Sequence, residues 1–228
     1  MREIYPIHNI FNTFTSYSDT LGLSVVFFSL ITNYSKLIPS YKRWILFFYL
    51  IFFVSTLITA LLNLYSQTNN WMYNLLPTLL TIPLFFFFNQ LHDSKVLKLF
   101  NTSYFLVYLI GAIIFWQNIF QLYLNPFFYL LFSFYILFNS VGYLNEEMTT
   151  MRSQNLFQKT EFWFIACLFF YATICVIVWS LFSYLKNNVA AQKKFLHPGH
   201  LWMYGHNTTL FIQSFVFSIA IFKTAVRK

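Results

Sequence analysis

Apolar runs about as long as a bilayer is thick recur along this chain, and no other feature constrains its fold as tightly. Seven are placed, over residues 20–35, 44–65, 71–91, 96–116, 126–144, 162–185 and 201–222. An α-helix needs roughly 20 apolar residues to cross the hydrocarbon. The runs predict an all-α membrane protein, a bundle of seven transmembrane helices forming one domain over residues 1–228. Tryptophans mark several predicted ends, at Trp44, Trp71, Trp116 and Trp202, as expected of rings that settle at the headgroup level. Composition agrees: 58% of residues are hydrophobic and 9% charged, against about 25% charged in soluble domains.

The net charge of +8 does not point to nucleic acid, because the Lys and Arg residues sit in short clusters between apolar runs. Such clusters report orientation. Lys36, Lys42, Arg43, Lys95, Lys98, Arg152, Lys159, Lys223, Arg227 and Lys228 fall on one side, ten in all; Arg2, Lys186, Lys193 and Lys194 fall on the other. The richer side is expected to be cytoplasmic, with the N-terminus outside and the C-terminus inside. The N-terminal segment lacks the basic start, apolar core and cleavage site of a signal peptide, so the first span is expected to act as its own insertion signal. The expected location is the bacterial cytoplasmic (inner) membrane, with the lipid bilayer as the first partner and no nucleic acid.

Polar residues recur at helical spacing inside the spans: Thr56, Thr59 and Asn63; Asn74, Thr78 and Thr81; Tyr104, Tyr108 and Gly111; Tyr129, Ser133 and Ser140; Trp163, Cys167, Tyr171 and Cys175. In the last span His206, Asn207, Gln213, Ser214 and Ser218 share one arc, since seven residues make nearly two turns. Small and hydroxylated residues also serve as helix-packing faces. If the stripes instead converge on a polar interior, the ligand-binding candidates are His206, Asn207, Gln213, Asn74, Tyr108 and Tyr171. Cys167 and Cys175 read as packing residues.

No Asp, Glu, Lys or Arg is placed in the middle of a span. That argues against proton pumps, ion-coupled carriers and voltage sensors, which usually need intramembrane charge. The last span lacks a central lysine for a retinal Schiff base; Lys223 sits at its end. No internal repeat supports an inverted-repeat transporter.

His197, His200 and His206 surround the start of the last span. They are weak metal candidates, because His200 and His206 are six apart, off the spacing that places two ligands on one helix face. A zinc ion would need three or four ligands, and the further ones would have to be His8, Glu3 or Asp19. A second cluster, His92 and Asp93 with Glu146, Glu147 and Arg152, could in principle do acid–base work, but at a membrane edge it reads as caps and salt bridges. Seven-span hydrolases with histidine–aspartate zinc sites are set aside, since their spaced histidines on the last span are absent. No phosphate loop, nucleophile elbow, HExxH or CxxC motif occurs, so no catalytic residue and no cofactor is predicted.

Several segments resemble a large family of small seven-span bacterial membrane proteins of unknown function, common in the Bacteroidota. The carriers are Asn69-Asn70-Trp71-Met72-Tyr73-Asn74 before the third span, Phe162-Trp163 with Tyr171 in the sixth, and Leu201-Trp202, His206 and Lys223 in the last. The resemblance covers about two-thirds of the chain. It implies seven spans and an external N-terminus. The chain departs from the pattern at Leu80-Thr81, where members often carry an acidic residue, and at Leu210, where an asparagine is common. The topology is also similar to a seven-span sensor module that some signalling proteins fuse to cytoplasmic output domains; here six residues follow the last span, so the expectation is a separate signalling partner in the cytoplasm or membrane. The expected function is an orphan seven-helix receptor or signalling subunit that binds a small or lipidic ligand in a polar interior. The alternatives are a transporter or permease subunit, and a membrane enzyme acting on a lipid-linked substrate.

Overall fold

The structure, a computed structural model, describes residues 5–36, 39–64, 70–114, 125–150, 156–188 and 201–226. All regular structure among them is helical. The helices are α1 (Tyr5–Thr32), α2 (Pro39–Leu64), α3 (Asn70–Leu91), α4 (Lys95–Ile114), α5 (Pro126–Thr150), α6 (Thr160–Asn187) and α7 (Thr208–Val226). A π-helical turn over Leu201–Asn207 leads into α7, and short 3₁₀ turns occupy Tyr34–Lys36 and Leu156–Gln158.

Five of these helices are long and apolar enough to cross a membrane: the spans are Arg43–Leu62, Trp71–Leu91, Lys95–Ile114, Pro126–Thr149 and Thr160–Leu185. The apolar part of α1, Tyr17–Thr32, is shorter. The helix itself starts at Tyr5 rather than near Thr20, where hydropathy alone places the span. The reason is local: Ser18 and Asp19 are turned into the bundle, so polarity interrupts the apolar pattern without interrupting the helix.

Local sequence sets several helix starts. Proline stands first in α2 and in α5, where its missing N–H is one that no helix would use. Asn125 caps α5 by accepting the Phe127 N–H on its side-chain oxygen at 3.1 Å. Pro77 and Pro83 lie inside α3. Within the helices, Ser29, Thr81, Ser133, Thr209 and Ser218 return their hydroxyl protons to the carbonyl one turn earlier. These hydroxyls are therefore satisfied without crossing to another helix.

The helices form a ring in chain order, α1 to α7, closed by extensive packing of α1 on α7; α3 also touches α5. This leaves α4 peripheral. Its buried face is Asn101, Tyr108 and Ala112, while Val96, Leu99, Val107, Ile110, Ile113 and Ile114 point outward. The closing seam depends on Gly22: a Cβ there would lie 2.9 Å from the Phe211 Cα of α7.

The two ends of the bundle differ. At the end carrying Arg43, Lys95, Lys159 and Lys223, here the basic end, the core is aromatic. Phe164 meets Phe48, Phe87 and Phe217 at 5.6, 5.0 and 5.5 Å, and Tyr49 stacks on Phe217 at 5.6 Å. Such ring pairs each add about 0.5–1.5 kcal/mol beyond burial. They fill the space between α2, α3, α6 and α7. A further set of buried polar groups, including His206, Asn207 and Asp19, lies towards the opposite end.

Candidate functional site

The site is built around His206, the penultimate residue of the π-helical turn. The turn runs directly into α7, so the wider winding hands its last residues to the bundle interior; π turns of this kind recur at functional sites. Gly205 lets the turn lie against α6, since a Cβ there would come within 2.7 Å of Val178 Cγ2. His206 is 1% exposed. Its Nε2 is 2.8 Å from the Tyr171 hydroxyl of α6, and its Nδ1 is 3.4 Å from Asn207 Oδ1. Because an amide oxygen only accepts, Nδ1 carries the proton and Nε2 accepts from the Tyr171 O–H. Three rings enclose the imidazole edge to face: Tyr129, Tyr171 and Trp179, at centroid separations of 5.7, 5.5 and 6.0 Å. Tyr129 is in turn stacked on Trp179 at 4.2 Å.

Of the six predicted ligand-binding residues, the fold thus joins His206, Asn207 and Tyr171. Asn74 is buried elsewhere, on α3, where its Oδ1 accepts the Asn125 N–H at 2.7 Å and ties the start of α5 to α3. Tyr108 is buried on α4, with its hydroxyl facing those of Thr78 and Thr81. Gln213 sits two turns further along α7. Its amide is 1% exposed, and neither its oxygen nor its nitrogen has a partner. It lines a cavity of about 240 Å³ between α6 and α7, together with Trp163, Ala166, Cys167, Phe170, Ile212 and Val216. Phe170, Ile212 and Val216 are exposed on the outer apolar face, so the cavity opens sideways, where hydrocarbon would lie.

Sequence reasoning gave less weight to two further groups. Asp19, 4% exposed, belongs to the same half of the bundle as His206. Its carboxylate is within electrostatic reach of the Tyr73, Tyr129 and Tyr171 hydroxyls. The signal available was its position one residue ahead of an apolar run. At the basic end, His92 is fully buried, with Nδ1 2.8 Å from Glu146 Oε2 and Nε2 3.2 Å from Asn139 Oδ1. Asn139 is oriented by donating to the Tyr135 carbonyl at 2.9 Å. Glu146 also accepts the Ser94 N–H at 2.7 Å. Lys159 reaches both oxygens of Glu147, at 2.9 and 3.0 Å. The histidine–carboxylate cluster thus ties α3, the α3–α4 connection and α5 together, and Lys159 fastens the start of α6. Arg152 lies outside the described residues.

For metal binding, no three His, Cys, Asp or Glu side chains gather among the described residues. His197 and His200, and the side chain of His8, lie outside them. Cys167 and Cys175 are buried free thiols.

No known family, characterised protein or solved structure matches this chain. What it does must therefore be argued from its own geometry.

Proposed function

We propose that this chain is a seven-span receptor or signalling subunit of the bacterial cytoplasmic membrane, and that it recognises a small uncharged or lipidic molecule. The carrying observation is Gln213: a buried amide with both polar atoms unpartnered, lining a cavity that opens to the apolar face between α6 and α7. An amide unsatisfied in hydrocarbon costs several kcal/mol. A membrane-dissolved molecule that both accepts from and donates to it, such as an amide or alcohol with an apolar body, offsets that cost. The volume is larger than the ~150 Å³ that holds benzene, enough for a ring or short chain and its polar group. His206 and its aromatic box stand two turns away on the same helix, where a shift of α6 against α7 would disturb the Tyr171–His206 bond. The message would pass to a separate partner at the basic end. The ten-to-four division of Lys and Arg supports placing that end in the cytoplasm and the N-terminus outside. The resemblance to small seven-span Bacteroidota-type proteins fits this reading.

A second reading, a transporter subunit, is favoured by one observation: Asp19 gives the interior a buried carboxylate, the kind of group ion-coupled carriers use.

The test compares wild type with Gln213→Leu by native mass spectrometry from mild detergent. Wild type should retain an apolar molecule that the variant loses. Stripped of all small molecules, the variant should be the more stable by about 1–3 kcal/mol, because a stranded amide has been removed. Identical retention of every co-purifying molecule by both proteins would rule the ligand site out.

A further inference from the structure

Between α1, α2 and α3, in the half of the bundle that holds His206, lies a gap of about 10 Å³ lined by Tyr17, Asp19, Thr20, Thr56, Thr59, Ala60 and Tyr73. Every polar side chain on its wall presents oxygen, and its volume is that of a single water-sized occupant. We infer that this gap is a binding site for one dehydrated Na⁺ ion, held by Asp19 with Thr56, Thr59 and Tyr73.

Charge is the first argument. The Asp19 carboxylate is 4% exposed and forms no ion pair with Lys, Arg or His among the described residues. An ionised carboxylate taken out of water needs a compensating charge. One carboxylate among neutral hydroxyls balances one positive charge. A divalent ion of the Ca²⁺ type takes six to eight oxygens, commonly several of them carboxylate, which this wall does not offer.

The state of each oxygen is the second. The hydrogen bonds that reach the carboxylate, from the Thr20 N–H at 2.7 Å and the Thr20 hydroxyl at 3.3 Å, both land on Oδ1. Oδ2 remains for the occupant. Thr56 gives its hydroxyl proton to the Phe53 carbonyl at 2.9 Å, so its lone pairs are free to bind a cation. Thr59 Oγ1 is buried, 3% exposed as a residue; it faces the Tyr73 hydroxyl but makes no well-formed hydrogen bond. Its lone pairs, like those of Thr56, are open to a cation in the gap. At about 10 Å³ the gap is at the lower limit for one water; K⁺ is about as large as a water and Na⁺ is smaller, so the gap fits Na⁺ better.

The site is separate from Gln213 and stands whether or not that cavity binds a ligand. It places the ion within electrostatic reach of Tyr129 and Tyr171, the rings that box His206. Occupancy would therefore stiffen the packing of α1 against the His206 site.

The full chain, purified in mild detergent at mildly alkaline pH, is melted in NaCl, KCl or choline chloride at matched ionic strength. Na⁺ should raise the melting temperature saturably, K⁺ should act only at clearly higher concentration, and choline should not act. Asp19→Asn should abolish the Na⁺ response. Thr59→Val, which keeps size and fold, should weaken Na⁺ by about tenfold or more, as loss of a ligating or supporting group does at metal sites; it also decides the matter should Asp19→Asn fail to fold. Equal melting in Na⁺ and choline, an unchanged Na⁺ response in either variant, or a stability that rises on acidification with no Na⁺ effect, which would make the occupant a proton, each overturns the assignment.

Discussion

Glu146→Ala removes one side chain and strands two donors. In the folded protein Glu146 accepts from His92 Nδ1 at 2.8 Å and from the Ser94 N–H at 2.7 Å. The other ring nitrogen of His92 faces Asn139 Oδ1, and the amide of Asn139 cannot turn round without losing its bond to the Tyr135 carbonyl. The ring is thus held between a carboxylate and an amide oxygen, one facing each nitrogen. Breaking a buried pair by deleting one partner costs about 3–5 kcal/mol. Glu146 keeps 12% of its side chain exposed whereas His92 keeps none, so the lower end applies, about 3 kcal/mol. Glu146→Gln retains one acceptor but places an NH₂ where the second is needed; it should lose about 1.5 kcal/mol, one charge-assisted hydrogen bond. The double-mutant cycle with His92→Leu should give a coupling of about 2 kcal/mol, within the range for residues in direct contact. Equilibrium unfolding in mixed micelles, followed by tryptophan fluorescence, measures all of these. A loss below about 0.5 kcal/mol for Glu146→Ala is what a solvated surface pair gives, and it would refute the view that this cluster clamps α3 to α5.

Glycines supply a matched pair: Gly22→Ala drives a Cβ to 2.9 Å from the Phe211 Cα, whereas Gly111→Ala meets nothing within 4 Å. Thermal melts should show the first losing about 2 kcal/mol or more through overpacking and the second gaining up to about 1 kcal/mol of helix propensity; equal behaviour would mean α1 and α7 are not pressed together at Gly22. Gly205→Ala should destabilise through Val178 Cγ2 at 2.7 Å, and adding Val178→Ala should recover part of the loss, a rescue that fails if the glycine serves only the backbone winding. Tyr171→Phe leaves His206 Nε2 without its donor and should cost about 1–3 kcal/mol, read from the same melts; no loss at all would place the proton differently.

Much of this molecule follows from the order of its residues. Helix is dictated wherever residues are continuously apolar, because hydrocarbon offers no partner for an open backbone. The arc His206, Asn207, Gln213, Ser214 and Ser218 was legible because helical periodicity alone places those residues on one face, and all five are buried. Periodicity says which face turns inward; it does not say what that face meets. Tertiary packing decided that Tyr171 joins His206 while Asn74 is drawn off to hold Asn125, and that Gln213 is left with no partner. It also decided that Asp19, which hydropathy sets at the edge of a span, is enclosed by threonines of α2 and a tyrosine of α3. Spacing along one helix is a local property of bond geometry, whereas a hydrogen-bond partner on another helix is fixed only when seven helices find their mutual rotation and depth, and no single segment carries that information.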